Sequence, residues 1–227
     1  MVVAILVLVG GSGLALAAIL GDDVDIAAYV PEPGPDRVER EAVGPTDAVL
    51  AGLIRHSQVG DADDQPGGVP ERFGPGDEGV LLVPDGWDVS SRDDDTLLLG
   101  NGDGVYLALS IVEVTATTPA TQLLTEAQSE VLSPTDAAHR RASDVLGLQP
   151  FGSLVTRSTV GYSAVRTDAQ GLTSVGGNIF AFVRDDGLAL IVNPEVTPAE
   201  NWDARIADWF PLWNSVVSNF AGASAIG

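Results

Sequence analysis

The sequence predicts an α+β fold of strands and helices, preceded by an N-terminal transmembrane helix and a disordered acidic linker. Three observations predict it. Between Gly79 and Val196, short apolar runs of strand-like character are separated by turns rich in glycine and aspartate. From Pro198 to Phe220 the large apolar residues recur at helical spacing. Ahead of both, Val2 to Leu20 forms nineteen consecutive residues without a charge.

The chain has 227 residues, enough for one ordinary domain with appendages. Its formal net charge is −21, from 32 acidic residues against 11 arginines and no lysine. Taken as a whole, such a surface repels nucleic acid and anionic lipid headgroups, so both are poor partners. There is no cysteine, which excludes disulfides, thiolate nucleophiles and cysteine-ligated metals.

The head, residues 1–21, is long enough to cross about 30 Å of hydrocarbon as a helix. Its Gly10-Gly11-Ser12-Gly13 cluster makes a weak helix in water and is better tolerated in a membrane. A cleaved signal peptide is the rival reading. Ala15-Leu16-Ala17 fits a small-x-small cleavage site, which would leave a mature N-terminus at Ala18. "GDDVD" follows, and nothing basic holds the C-terminal side in the cytoplasm. Both readings therefore export the remainder, and the first places it at the plasma membrane as a single-pass protein with its C-terminal domain extracytoplasmic.

Residues 22–78 are rich in Pro, Gly and Asp and read as an extended acidic linker. One island interrupts it near 46–58. Thr46 is placed as an N-cap, and Val49, Leu50, Leu53 and Ile54 share one helical face. So short a helix needs something to pack on, either its own domain or a partner protein. These four residues are the candidate partner-binding site.

The domain proper is expected over 79–221, with 222–227 as a tail. It opens with "GVLLV", "DVSS" and "TLLLG" as strands. "GNGDG" at 100–104 then poses a choice between a phosphate loop and a hairpin turn. A dinucleotide fingerprint needs a third glycine and a following helix, whereas position 105 is valine and "VYLALSIVEV" alternates as a strand. Asn101-Gly102 and Asp103-Gly104 are turn signals that need positive φ, so the stretch reads as a hairpin. Thr118-Pro119 starts a helix running to about Leu132, with threonine as cap and proline at the first helical position, and "PTDAAHRRASDVLG" reads as a second helical or irregular piece. Strands follow in "GSLVTRSTV", "YSAVRTDA", "LTSVGGNIFAFVR" and "LALIVNPEV". The terminal helix carries Trp202, Ile206, Trp209, Phe210, Trp213, Val216, Val217 and Phe220 on one stripe, with Pro211 expected to kink it.

No set of residues resembles an active site, and none is assigned to a cofactor or metal. His56 and His139 are the only histidines, and neither has an evident nucleophile beside it. Gly161-Tyr162-Ser163-Ala164-Val165 resembles a nucleophile elbow but lacks its last glycine and lies between strands. The clusters Asp61, Asp63, Asp64 and Asp93, Asp94, Asp95 lack the spacing and terminal glutamate of a calcium loop and read as solvated turns.

The order of features from Gly79 to Phe220 resembles the PsbP-like fold. "VPDGW", the hairpin pair, the Pro-started helix, "VGYSAVRTD", "GGNIFAFVRDDGLALIV" and a terminal helix ending "WNSVVSNF" carry the likeness. The resemblance implies an antiparallel β-sheet flanked by helices in an α/β/α sandwich, usually without catalysis, often as an accessory subunit on a larger membrane complex. Members with an apolar head include exported and lipid-anchored envelope proteins of high-GC Gram-positive bacteria. This chain has no lipobox cysteine, and no functional residue transfers. The expectation is a non-catalytic accessory or assembly subunit of an envelope complex, respiratory or transport, with integral membrane protein partners. The alternative is an extracytoplasmic binding module for a lipid or other apolar ligand.

Overall fold

The computed structural model describes residues 67–133, 138–168 and 171–222. The head, the helical island with Val49, Leu50, Leu53 and Ile54, His56 and Asp61 to Asp64 lie outside the described residues. No described helix is long and apolar enough to cross a membrane.

Twelve elements follow one another. A small antiparallel hairpin comes first, β1 (Val69–Phe73) with β2 (Gly79–Val83). Then come β3 (Asp88–Arg92), β4 (Thr96–Gly100), β5 (Val105–Glu113), α1 (Ala120–Val131), β6 (Ala138–Ala142), β7 (Leu146–Leu148), β8 (Leu154–Asp168), β9 (Gly171–Arg184), β10 (Leu188–Val196) and α2 (Trp202–Gly222). The main sheet is antiparallel in the order β3-β4-β5-β10-β9-β8-β6, and β7 pairs β8 beyond β6 along the same edge. The expected α+β class, an antiparallel sheet with helices against it, is what these residues form.

Strand alternation sends each strand's side chains to two separate cores. Leu107, Leu109, Phe180, Phe182, Leu190 and Val192 lie under α2, with Trp202, Trp209 and Trp213 packed on them. Val160, Ile179, Ala181, Val183, Ala189 and Ile191 lie under α1, covered by Leu123, Leu124 and Ala127. The central strands are therefore apolar on both faces, which is why "NIFAFV" and "LALIV" are continuous runs rather than alternations.

The hairpin of β1 and β2 is anchored under α2 by buried Phe73. Three local readings change. The piece read as helical or irregular contains the edge strands β6 and β7. The two strands expected over 152–169 are one, β8, with a bulge between Leu154 and Thr156. Pro211 sits on the exposed side of α2, which stays one continuous helix. The expected turn at 100–104 is present, with Gly102 at φ 75° and Gly104 at φ 80°. Asn101 Oδ1 accepts the backbone N–H groups of Asp103 and Val105.

Candidate functional site

Burying a guanidinium is costly unless an anion accompanies it. Three arginines in the sheet strands are buried, Arg157, Arg166 and Arg184, and their surroundings differ. Arg184, at the end of β9, pairs with Asp186 and with Glu78 Oε2 at 3.2 Å, and its guanidinium lies 4.9 Å from the Phe220 ring centre. The hydrogen bond to Asp186 holds Arg184 above its ordinary pKa, and the same bond holds Asp186 below the ordinary carboxyl value. This clasp joins the β9–β10 turn to the segment before β2 and to the end of α2.

Arg166 of β8 pairs with Glu195 of β10 on the α1 face. Tyr162 Oη lies 2.8 Å from Glu195 Oε2 and 3.0 Å from Asn193 Oδ1. Burial raises the Tyr162 pKa well above the ordinary phenol value, and the Glu195 charge raises it further. Tyr162 is thus a neutral donor within a charge-paired network. Gly177, opposite Tyr162 in register, gives the ring its room: a Cβ there would lie 2.5 Å from the ring carbon Cζ.

Arg157 is different. It is 3% exposed, yet no carboxylate pairs with it among the described residues, and its Nε and Nη2 have no hydrogen-bond partner there. In register it stands between Leu148 of β7 and Phe182 of β9, and its guanidinium lies 5.7 Å from the Phe151 ring centre. Burial alone lowers its pKa, with no anion to offset the shift. On the same face of β9, Asn178 is fully buried, and neither atom of its amide finds a partner. The indole N–H groups of Trp202, Trp209 and Trp213, on the helix facing this surface, are also unpartnered. Buried polar atoms without partners are few in a native core, and each calls for an explanation. Arg166 Nε and Nη2 and Ser110 Oγ, on the α1 side, are unpartnered as well, so what sets Arg157 apart is its uncompensated positive charge.

Among the described residues, those considered from sequence do not come together in a catalytic set. His139 is exposed on β6, and Ser163 lies inside strand β8 rather than on a strand-to-helix turn. Asp93, Asp94 and Asp95 form the exposed β3–β4 turn, and no described cluster of His, Asp and Glu is arranged to hold a metal. An open, polar groove of about 690 Å³ runs between that turn and Pro75–Asp77. Its Arg92 is already paired with Glu71, and no orphaned polar side-chain atom is found among its lining residues. Arg157 itself went unremarked in the sequence, although "LVTRSTV" places a charge inside an apolar strand, and that was the available signal.

No family model and no curated protein matches the chain. Similar solved structures include LpqN of Mycobacterium tuberculosis, described as involved in cell envelope biogenesis. It is 14% identical over 65% of this chain and 87% of that one, with a TM-score of 0.37. A Bacteroides thetaiotaomicron protein is 13% identical over 57% of this chain and 41% of that one, with a TM-score of 0.34. The lipid transfer and protein localization domain of human StarD13 is 15% identical over 61% and 86%, with a TM-score of 0.26. Likenesses at this level carry no functional argument, and they do not establish the PsbP-like family.

Proposed function

We propose that the domain is a non-catalytic, extracytoplasmic binding module for a small anionic amphiphile. The observation that carries this reading is Arg157, a buried guanidinium with no countercharge among the described residues. A carboxylate or phosphate headgroup supplies the missing charge and accepts from the unpartnered Nε and Nη2. Leu148, Phe151 and Phe182 stand beside Arg157 and supply apolar contact for the rest of such a molecule. No step of bond making or breaking is assigned to these groups. Tethering by the head and membership of a larger envelope complex rest on residues 1–66 and on the sequence pattern. No described contact adds to them.

Octyl phosphate tests the reading. Titrated into the full chain held in phosphatidylcholine nanodiscs, it is expected to give a saturable change in tryptophan fluorescence. Octanol, with the same chain and no charge, gives none. Arg157→Gln abolishes the response while the thermal melt stays cooperative. Equal responses to the phosphate and the alcohol, or an unchanged response in Arg157→Gln, would overturn it.

A further inference from the structure

The net charge of −21 conceals an uneven distribution. The segment from Ala138 to Val155, which holds β6 and β7, carries His139, Arg140 and Arg141 against a single carboxylate, Asp144. All of β6 is exposed. Farther along the same segment, Val145, Phe151 and Val155 are 41%, 37% and 37% exposed, half of the large apolar residues that reach solvent among the described residues. Arginines and exposed apolar side chains along one segment of an otherwise acidic body are the chemistry of an interface with an anionic bilayer: the arginines meet headgroup phosphates and the apolar tips enter the acyl boundary. We propose that the β6–β7 edge docks on an anionic bilayer surface.

An edge strand also invites a second reading, pairing with a strand of another protein. The local backbone speaks against it. The β6–β8 pairing has an irregularity between Ala138 and Arg141, and His139 stands at φ 48°. Irregularities and charged side chains are the devices by which sheet edges are closed to further strands. That protection accounts for the arginines of β6 but gives no reason for three exposed apolar side chains in the same segment. A bilayer accounts for both. The acidic remainder repels the same surface, so only this edge approaches it. The proposal stands on these residues and does not require Arg157 to bind anything.

The absence of cysteine allows a clean test. An environment-sensitive fluorophore is attached to Ala142→Cys in the full chain, reconstituted in vesicles of phosphatidylcholine alone or mixed with phosphatidylglycerol. The expected result is a blue shift and quenching by lipid-borne quenchers in the anionic vesicles only. The same probe at Ser90→Cys on β3, the opposite edge, stays unchanged. Adding Arg141→Glu, a change of two charge units, lowers the docked fraction by roughly tenfold or more and leaves the melting temperature in place. Adding Val145→Ser weakens quenching in the anionic vesicles. Identical responses at both edges, or no dependence on phosphatidylglycerol, would refute the proposal. Cross-linking of Ala142→Cys to a second protein chain with no lipid response would refute it in favour of strand pairing.

Discussion

Replacing Arg157 with methionine is expected to raise the melting temperature of the free chain, because an uncompensated buried charge gives way to an apolar side chain of similar length. The gain is about 1 kcal/mol or more, read by urea titration. The variant loses octyl phosphate binding, so stability and function part at a single position. Gly177 predicts the opposite sign. Alanine there drives a methyl against the Tyr162 ring and the Pro194 carbonyl, at 2.5 and 2.8 Å from the new carbon. The expected cost is about 1–3 kcal/mol, with the Tyr162 hydrogen bonds disturbed. Asp186 gives a pH signature. Its carboxyl is held below the ordinary 3.8 by Arg184, so the pair contributes stability above that range and loses it as pH falls through the lower folded value. Asp186→Asn is therefore expected to differ from wild type in urea melts at neutral pH and to converge with it below the carboxyl range.

At the scale of elements, the two turn glycines behind β4 separate two effects that sequence alone merges. Both have positive φ, and alanine at either costs about 1 kcal/mol in backbone strain. At Gly102 a Cβ meets open space, whereas at Gly104 it collides with the Thr197 carbonyl. Gly104→Ala should thus lower the melting temperature clearly more than Gly102→Ala in parallel thermal melts. The turn, its flanking strands, α1, β9, β10 and α2 were legible because glycine pairs and apolar periodicity are local signals. The strands β6 and β7 were not. "AHRRA" and "LGL" are too polar or too short to show a period, and their conformation comes from pairing with β8. The start of α1 shows the same limit at one position. Thr118 was expected as the cap, but the first turn is held from β8, where Thr156 Oγ1 accepts the Ala120 N–H at 3.2 Å. The candidate site was illegible for a related reason: what marks Arg157 is a missing partner, and partners are a property of the fold.

For the whole molecule, net charge is an average and says nothing about placement. Arg140 and Arg141 lie together at one margin of the sheet, while Asp93, Asp94 and Asp95 lie at the turn joining β3 and β4 near the other. The two-core architecture has a further consequence at the chain's ends. β2, from the opening hairpin, packs against α2, the last element, and Asn219 donates from its side chain to the Val80 carbonyl at 3.2 Å. Ser153 Oγ also donates to the Ala221 carbonyl. The first strands and the last helix thus complete the same core, across a sequence separation of 139 residues. During synthesis, β1 and β2 emerge ahead of the other described elements, and their surface on α2 appears only with the last of them. The closing contacts join the first and last elements of the described domain, which places it among slow folders whose early segments stay exposed in transit. A chain ending at Thr197 is expected to lack slow amide exchange even in β2, far from the cut in sequence. Native-like protection there would show that the front of the domain folds without its last helix.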